Sequence, residues 1–216
     1  MDGATRPKAL VGLAIAYSPN FISVLLCLAH FPWHPRNVRE GIMLVTYYKW
    51  FAAGALLLFI LVGERRGLGS IGLKRMRLRD AVVVVIGVAA TFVLSAVLIA
   101  AWGHTIPSGS GTRVIERLPL AMRLHLVLNV AVTEEILFRG YPIERIEWLT
   151  GRTWLAAGIS WALFTFLHYP FFDLRTVVVG TAPGALVLTL IYVWRRNLPT
   201  NMVVHLLLDL PILFLR

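Results

Sequence analysis

The chain has 216 residues, of which 58% are hydrophobic and 15% are charged. A water-soluble core of this size does not need so many apolar side chains, so the composition excludes an ordinary soluble domain and indicates a membrane protein. The formal net charge of +10 would suit a nucleic-acid partner, but the positions of the basic residues explain this charge without one.

Seven apolar runs are long enough to cross a bilayer as helices. A hydrocarbon layer of roughly 30 Å needs about 20 mostly apolar helical residues. The first three runs are the cleaner ones, whereas charges, histidines and prolines interrupt the last four. We therefore predict an all-α, polytopic membrane bundle of about seven transmembrane helices, over residues 9–29, 42–62, 81–102, 119–138, 153–172, 176–194 and 198–215.

Basic residues are divided unequally between the two ends of the predicted helices. With the N-terminus inside, the N-terminal tail and alternate loops hold thirteen Lys and Arg residues, and the opposite loops hold six. The positive-inside rule predicts a cytoplasmic N-terminus, and anionic lipid headgroups account for the basic charge. We predict a multi-pass protein of a prokaryotic cell membrane that contacts membrane lipids and no nucleic acid.

The chain shows no sequence repeat and no segment with the composition of a soluble domain. We therefore predict one membrane-embedded domain, residues 1–216. Within it, residues 1–118 are the predicted scaffold helices and residues 119–216 the predicted catalytic helical core. The loop at residues 103–119 is the predicted flexible connection between them.

Three clusters of polar residues fall inside the interrupted runs. An ionised side chain in the middle of a bilayer costs at least about 2.5 to 3.5 kcal/mol, so residues of this kind are candidates for function. The clusters are Glu134 with Glu135 and Arg139, His168 four residues after Phe164, and His205 four residues before Asp209.

The first cluster contains one expected ion pair. Glu135 and Arg139 are four residues apart on one helix face, whereas Glu134 points about 100° away from Glu135. Glu134 is then left without a cation on its own helix, and a desolvated carboxylate suits a general base. The alternative is that both glutamates simply face lipid headgroups at a helix end.

Helix lengths put the three clusters at similar depth. In a helical hairpin that turns at residues 150–152, Glu134 and His168 both lie roughly 22 Å from the turn at 1.5 Å per residue. The polar residues 140–149 account for about 10 to 15 Å of this length as a projection beyond the apolar layer, so both side chains lie on the order of 10 Å below the cytoplasmic surface. His205 lies roughly 9 Å along the last helix from its cytoplasmic end. The three side chains can therefore converge in a cavity open to the cytoplasm, with Asp209 on its floor.

A carboxylate and two imidazoles can deprotonate water directly or through a divalent metal such as zinc, and both routes hydrolyse an amide bond. Zinc would accept Glu134, His168 and His205, but the sequence contains no HExxH pattern. It also contains no GxSG serine motif and no GxGD aspartate motif. A metal is allowed by these residues and not indicated by them.

These residues carry a resemblance to a known family. EEILFR at 134–139 resembles an EExxxR motif, FTFLH at 164–168 an FxxxH motif, and HLLLD at 205–209 an HxxxN or HxxxD motif. The motifs keep their order, with Asn201 preceding the last one. They are similar to those of the CPBP, or Abi, family of intramembrane proteases, which comprises CAAX-processing and bacteriocin-processing or immunity-type enzymes. The chain resembles the Ras-converting CAAX endopeptidase type.

The resemblance implies a role for each motif residue. Glu134 would activate the hydrolytic water with help from His168, and His205 with Asp209 would stabilise the tetrahedral oxyanion. Supporting roles fall to Glu135, Arg139, Phe164 and Asn201. Relatives are described both as metalloproteases and as glutamate-dependent proteases, so the resemblance leaves zinc open. The implied substrate is a peptide or protein tail presented from the cytoplasm, C-terminal or internal and with or without a lipid.

One residue departs from the CAAX-processing pattern. Asp209 stands where those members carry asparagine. An ionised aspartate would repel an oxyanion, so Asp209 must be protonated, orient His205, or bind a cation.

Two other functions compete with an intramembrane endopeptidase. Intramembrane Glu, His and Asp residues also build the relays of ion-coupled transporters, although the sequence has no evident inverted repeat. A non-catalytic membrane adaptor or immunity protein could keep the same fold. Loss of cleavage or of ion flux on changing Glu134 would distinguish these functions.

Overall fold

A computed structural model describes residues 5–28, 38–102 and 115–214. Within these ranges every regular element is a helix and none is a strand. Most of the predicted connecting loop, residues 103–114, lies outside the described residues. The α-helices are α1 Arg6–Leu28, α2 Val38–Leu58, α3 Leu78–Trp102, α4 Leu120–Glu134, α5 Tyr141–Thr150, α6 Thr153–His168, α7 Ala182–Arg195 and α8 Leu198–Asp209.

Helices α4 and α5 form one continuous helix, because a π-helical turn at Glu135–Gly140 joins them. With this junction counted, the described residues form seven long helices, and the predicted all-α bundle is confirmed. The predicted helix at 153–172 is shorter than expected and ends at His168. Pro170 follows two residues later and cannot donate the backbone hydrogen bond that would continue the helix.

Three helical segments of the described residues are long and apolar enough to cross a membrane: Arg39–Gly63, Leu78–Trp102 and Leu174–Arg195. In the most apolar part of Leu78–Trp102, only 22% of the residues are buried inside the protein. The exposed side chains there are large and apolar, as a lipid-facing surface requires. Thr153–His168 and Leu198–Phe214 are also apolar but shorter. The chain is an integral membrane protein.

The helix formed by α4 and α5 lies at the centre of the bundle. All residues from 133 to 143 are buried, including the entire π-helical turn. The Phe138 ring in this turn packs edge-on against Tyr17 of α1 and Phe164 of α6, with ring centroids 5.7 Å and 5.0 Å away. Charged residues on this stretch therefore face other helices on every side.

A buried ion pair fixes the turn after α2 to α5. Glu64 is fully buried and accepts a hydrogen bond of 2.7 Å from the Tyr141 hydroxyl. The Arg145 guanidinium, 1% exposed, donates to both oxygens of the same carboxylate, at 2.5 to 3.1 Å. Arg145 also donates to the Ser70 hydroxyl at 3.3 Å. This cluster anchors residues 64–71 on the central helix.

The contact between α1 and α5 leaves no room for a side chain at Gly12. A Cβ atom at this position would lie 1.8 Å from the Tyr141 hydroxyl, whereas a Cβ atom at Gly54 of α2 would have no neighbour within 4 Å. Gly12→Ala is therefore expected to destabilise the protein by about 1 to 3 kcal/mol. Gly54→Ala, the matched control, is expected to be neutral or stabilising by up to about 1 kcal/mol. Thermal unfolding in detergent checks this difference, and equal melting temperatures for both variants would contradict the packing.

Candidate active site

Glu134 ends α4 and is 3% exposed. Its Oε1 accepts a hydrogen bond from the Lys49 ammonium of α2, with which it forms an ion pair. Its Oε2 lies 3.9 Å from Nε2 of His205, beyond hydrogen-bond distance. One oxygen of this carboxylate is therefore held by a cation, and the other faces an imidazole across a gap.

Glu135 connects three side chains within the protein interior. Arg139 donates to Oε1 at 3.1 Å, which is the ion pair expected from the spacing of four residues. Asn201 Nδ2 donates to Oε2 at 3.1 Å, and His205 Nδ1 lies 2.8 Å from Oε1. Glu135 thus does more than neutralise Arg139, because it also orients two residues of α8.

Both ring nitrogens of His205 face carboxylates. Glu135 faces Nδ1, and Asp209 Oδ2 lies 3.4 Å from Nε2 on the same face of α8. An ionised carboxylate can only accept hydrogen bonds, so this arrangement suits a doubly protonated imidazolium. Of the three expectations for Asp209, the geometry favours the one in which it orients His205.

The Phe164 ring is the point at which the motifs meet. The Arg139 guanidinium carbon lies 4.0 Å above the ring centroid. The His168 ring centroid is 4.4 Å away and that of His205 is 6.3 Å away. The structure therefore brings all three sequence motifs together around one aromatic side chain.

His168 is the last residue of α6 and turns its ring back along the helix. Its Nδ1 donates to the Phe164 carbonyl at 2.7 Å, which leaves Nε2 unprotonated when the ring is neutral. Among the described residues His168 forms no ion pair with a carboxylate, although it lies close enough to Glu134 for a Coulombic interaction. His205 therefore lies 3.9 Å from Glu134, and His168 joins the cluster through its contact with the Phe164 ring.

A π-helical turn begins directly after Glu134 and carries Glu135 and Arg139. The Tyr141 N–H donates a hydrogen bond to the Ile136 carbonyl, five residues earlier in the chain. In an α-helix the partner would be four residues earlier, so this turn contains one more residue. The angle of about 100° between Glu134 and Glu135 assumes regular α-helical geometry. The helix departs from this geometry directly after Glu134, where the π-helical turn begins. Such turns occur frequently at functional sites.

Lys49 is the site residue that sequence reasoning misses. Glu134 is paired with no cation of its own helix, and α2 supplies one instead. The available signal is the lysine itself, which interrupts an otherwise apolar run in the predicted span 42–62. Because a charge inside a membrane is costly, Lys49 is a candidate functional residue by the same criterion as the three polar clusters.

The residues that zinc would use do not fit a metal ion as they are arranged. In the part of the chain that the structure describes, no group of three or more His, Cys, Asp or Glu side chains could hold a metal ion. Lys49 holds one oxygen of Glu134, and Nδ1 of His205 faces Glu135. A metal at Glu134 would have to displace an ammonium group.

Comparisons with known proteins agree with the motifs. The family model described as Type II CAAX prenyl endopeptidase Rce1-like matches residues 116–211. This range contains Glu134, His168 and His205, and it excludes Lys49. No curated protein and no solved structure matches the chain. Over residues 116–211, somewhat less than half of its length, the chain is therefore similar to the Rce1-like CAAX endopeptidases, which supports its assignment to the CPBP family.

Proposed function

We propose that the protein is an intramembrane endopeptidase that hydrolyses a peptide bond in a peptide or protein tail presented from the cytoplasmic side. The observation that carries this proposal is the arrangement at Glu134, where one carboxylate oxygen is held by Lys49 and the other faces His205. An ionised carboxylate with a free oxygen can accept a proton from water, and a neighbouring imidazolium can stabilise negative charge.

Each step of the reaction has a residue to carry it. Glu134 Oε2 removes a proton from water, and the hydroxide forms a bond to the carbonyl carbon of the substrate. The negative charge that develops on the carbonyl oxygen is stabilised by the Nε2–H of His205. Protonated Glu134 then gives its proton to the leaving nitrogen, and the C–N bond breaks to yield a carboxylic acid and an amine. This sequence uses no metal.

The supporting residues control the protonation state of His205. Glu135 binds Nδ1 and Asp209 faces Nε2, so the ring keeps both protons between turnovers. The unprotonated Nε2 of His168 is a second acceptor for the attacking water. In this role Asp209 orients His205 and keeps the ring protonated.

A peptide library assayed with purified protein in proteoliposomes tests the proposal. The library contains C-terminal and internal sites, each with and without a prenyl group, and each reaction is run with and without a chelator. We expect cleavage of at least one peptide class at an unchanged rate when the chelator is present. Absence of cleavage in every class would contradict the peptidase, and loss of cleavage with the chelator would contradict the metal-free route.

A further inference from the structure

We propose that Lys49 is a positioning residue of the active site, which keeps the Glu134 carboxylate ionised and fixes which of its oxygens receives the proton from water. This inference rests on the proposed peptidase function. It extends the site to α2, outside the residues matched by the family model.

Lys49 faces the protein although it lies in the middle of an apolar helix. Its side chain is 12% exposed, whereas Tyr47 and Phe51 of the same helix are 57% and 72% exposed. A lysine in a membrane helix is costly, and near a helix end its long side chain can extend to the lipid headgroups instead. Here the ammonium group ends on Glu134.

The two adjacent glutamates have separate cations. Arg139 is fully buried and donates to Glu135 at 3.1 Å. Glu134 receives its cation from a residue 85 positions earlier in the chain. Its other oxygen faces the His205 ring, at 3.9 Å.

A second polar contact fixes the position of α2 against α4. The fully buried Asn129 of α4 donates from Nδ2 to the Thr46 carbonyl of α2 at 3.0 Å. Thr46 lies one turn before Lys49, and Asn129 lies less than two turns before Glu134. The register between these helices is therefore set by a polar contact close to the ion pair.

An ionised Glu134 is the condition for its role as a base. A buried carboxylate without a cation binds a proton more readily, and a protonated carboxyl group cannot accept another from water. Lys49 also occupies Oε1, so Oε2, which faces His205, is the oxygen left to accept a proton from water. The other charged or titratable groups around Glu134 are His205 and Asp209 of α8, His168 of α6, and Glu135 and Arg139 of the central helix.

Steady-state kinetics from pH 6 to pH 9 test this role with Lys49→Met, Lys49→Arg and the exposed Lys74→Met as the control. Removing a supporting group typically lowers activity by about 10 to 100-fold, and we expect a loss of kcat in this range for Lys49→Met near neutral pH. KM is expected to change little. The loss should shrink as the pH rises, because Glu134 then regains its ionised form. Lys49→Arg should retain most of the activity, and Lys74→Met should match the wild type.

Wild-type kcat in Lys49→Met would overturn the proposal. A loss of kcat that is equal at every pH, and that is also present in Lys49→Arg, would overturn it too, since that pattern belongs to a purely structural lysine.

Thermal unfolding of the same variants tests the ion pair without any substrate. Lys49→Met is expected to lower the melting temperature, and Lys49→Met combined with Glu134→Gln is expected to recover part of the loss, because no uncompensated carboxylate remains. A wild-type protein that cleaves no peptide would contradict the proposed function. If the double variant melted no higher than Lys49→Met, the pairing of Lys49 with Glu134 would be contradicted, whichever result the cleavage assay gives.

Discussion

Glu134→Gln is expected to lower kcat/KM for peptide cleavage by about 10² to 10⁴-fold, the range that a general base contributes. Glutamine keeps the shape of the side chain, and its carbonyl oxygen can still accept the hydrogen bond from Lys49. It has no carboxylate to remove a proton from water. Initial rates on the best substrate from the peptide library measure the effect.

Glu147→Gln provides the matched control for this variant. Glu147 lies on α5, is partly exposed, and pairs with Arg196 at the surface, away from the cluster around Phe164. The cleavage rate of Glu147→Gln is expected to stay within about twofold of the wild type, because exposed ion pairs contribute little to stability. If Glu135→Gln lost more kcat/KM than Glu134→Gln, the general base would be Glu135 instead of Glu134, and the mechanism would be contradicted.

Arg145→Met is expected to reduce the free energy of unfolding by about 3 to 5 kcal/mol. Arg145 and Glu64 are 1% and 0% exposed. Removal of Arg145 leaves the Glu64 carboxylate buried without its cation, and among the described residues the Tyr141 hydroxyl still donates a hydrogen bond to it. Equilibrium unfolding in detergent micelles measures the change. Because Glu64 directly follows the π-helical turn Phe59–Gly63 that extends α2, the loss should also release residues 64–71 from α5.

Arg196→Met removes the same type of side chain from a more exposed pair. Arg196 is 26% exposed and pairs with Glu144 and Glu147. Its loss is expected to cost about 1 kcal/mol or less. Replacing both buried partners, as in Arg145→Met with Glu64→Leu, should recover part of the stability lost in Arg145→Met. Equal destabilisation by Arg145→Met and Arg196→Met would contradict the importance of burial.

Contacts within one helix could be predicted from the sequence. The spacing of four residues indicates the pair of Glu135 with Arg139 and the proximity of His205 to Asp209, and both are present. Apolar runs likewise indicate the helices, because a bilayer requires each spanning segment to satisfy its own backbone hydrogen bonds. The number of helices follows from these runs.

Contacts between helices could not be predicted in the same way. Helix α2 is apolar on most of its surface, so its sequence does not show which face meets α4, and the pairing of Lys49 with Glu134 stays hidden. The contacts of Glu135 with Asn201 and His205 likewise depend on how α8 is rotated. The π-helical turn adds a change of rotation that regular periodicity does not contain.

The charges around Glu134 have an electrical consequence for a protein in an energised membrane. In the proposed protonation state, Lys49, Arg139 and a doubly protonated His205 balance the carboxylates of Glu134, Glu135 and Asp209, so the cluster carries no net charge. A membrane potential does work only on charge that moves through it, about 2.3 kcal/mol per elementary charge per 100 mV. In the proposed reaction the proton passes from water to Glu134 and on to the leaving nitrogen within this neutral cluster. The proposed turnover therefore carries no charge from one side of the membrane to the other, in contrast to an ion-coupled carrier built from the same residue types.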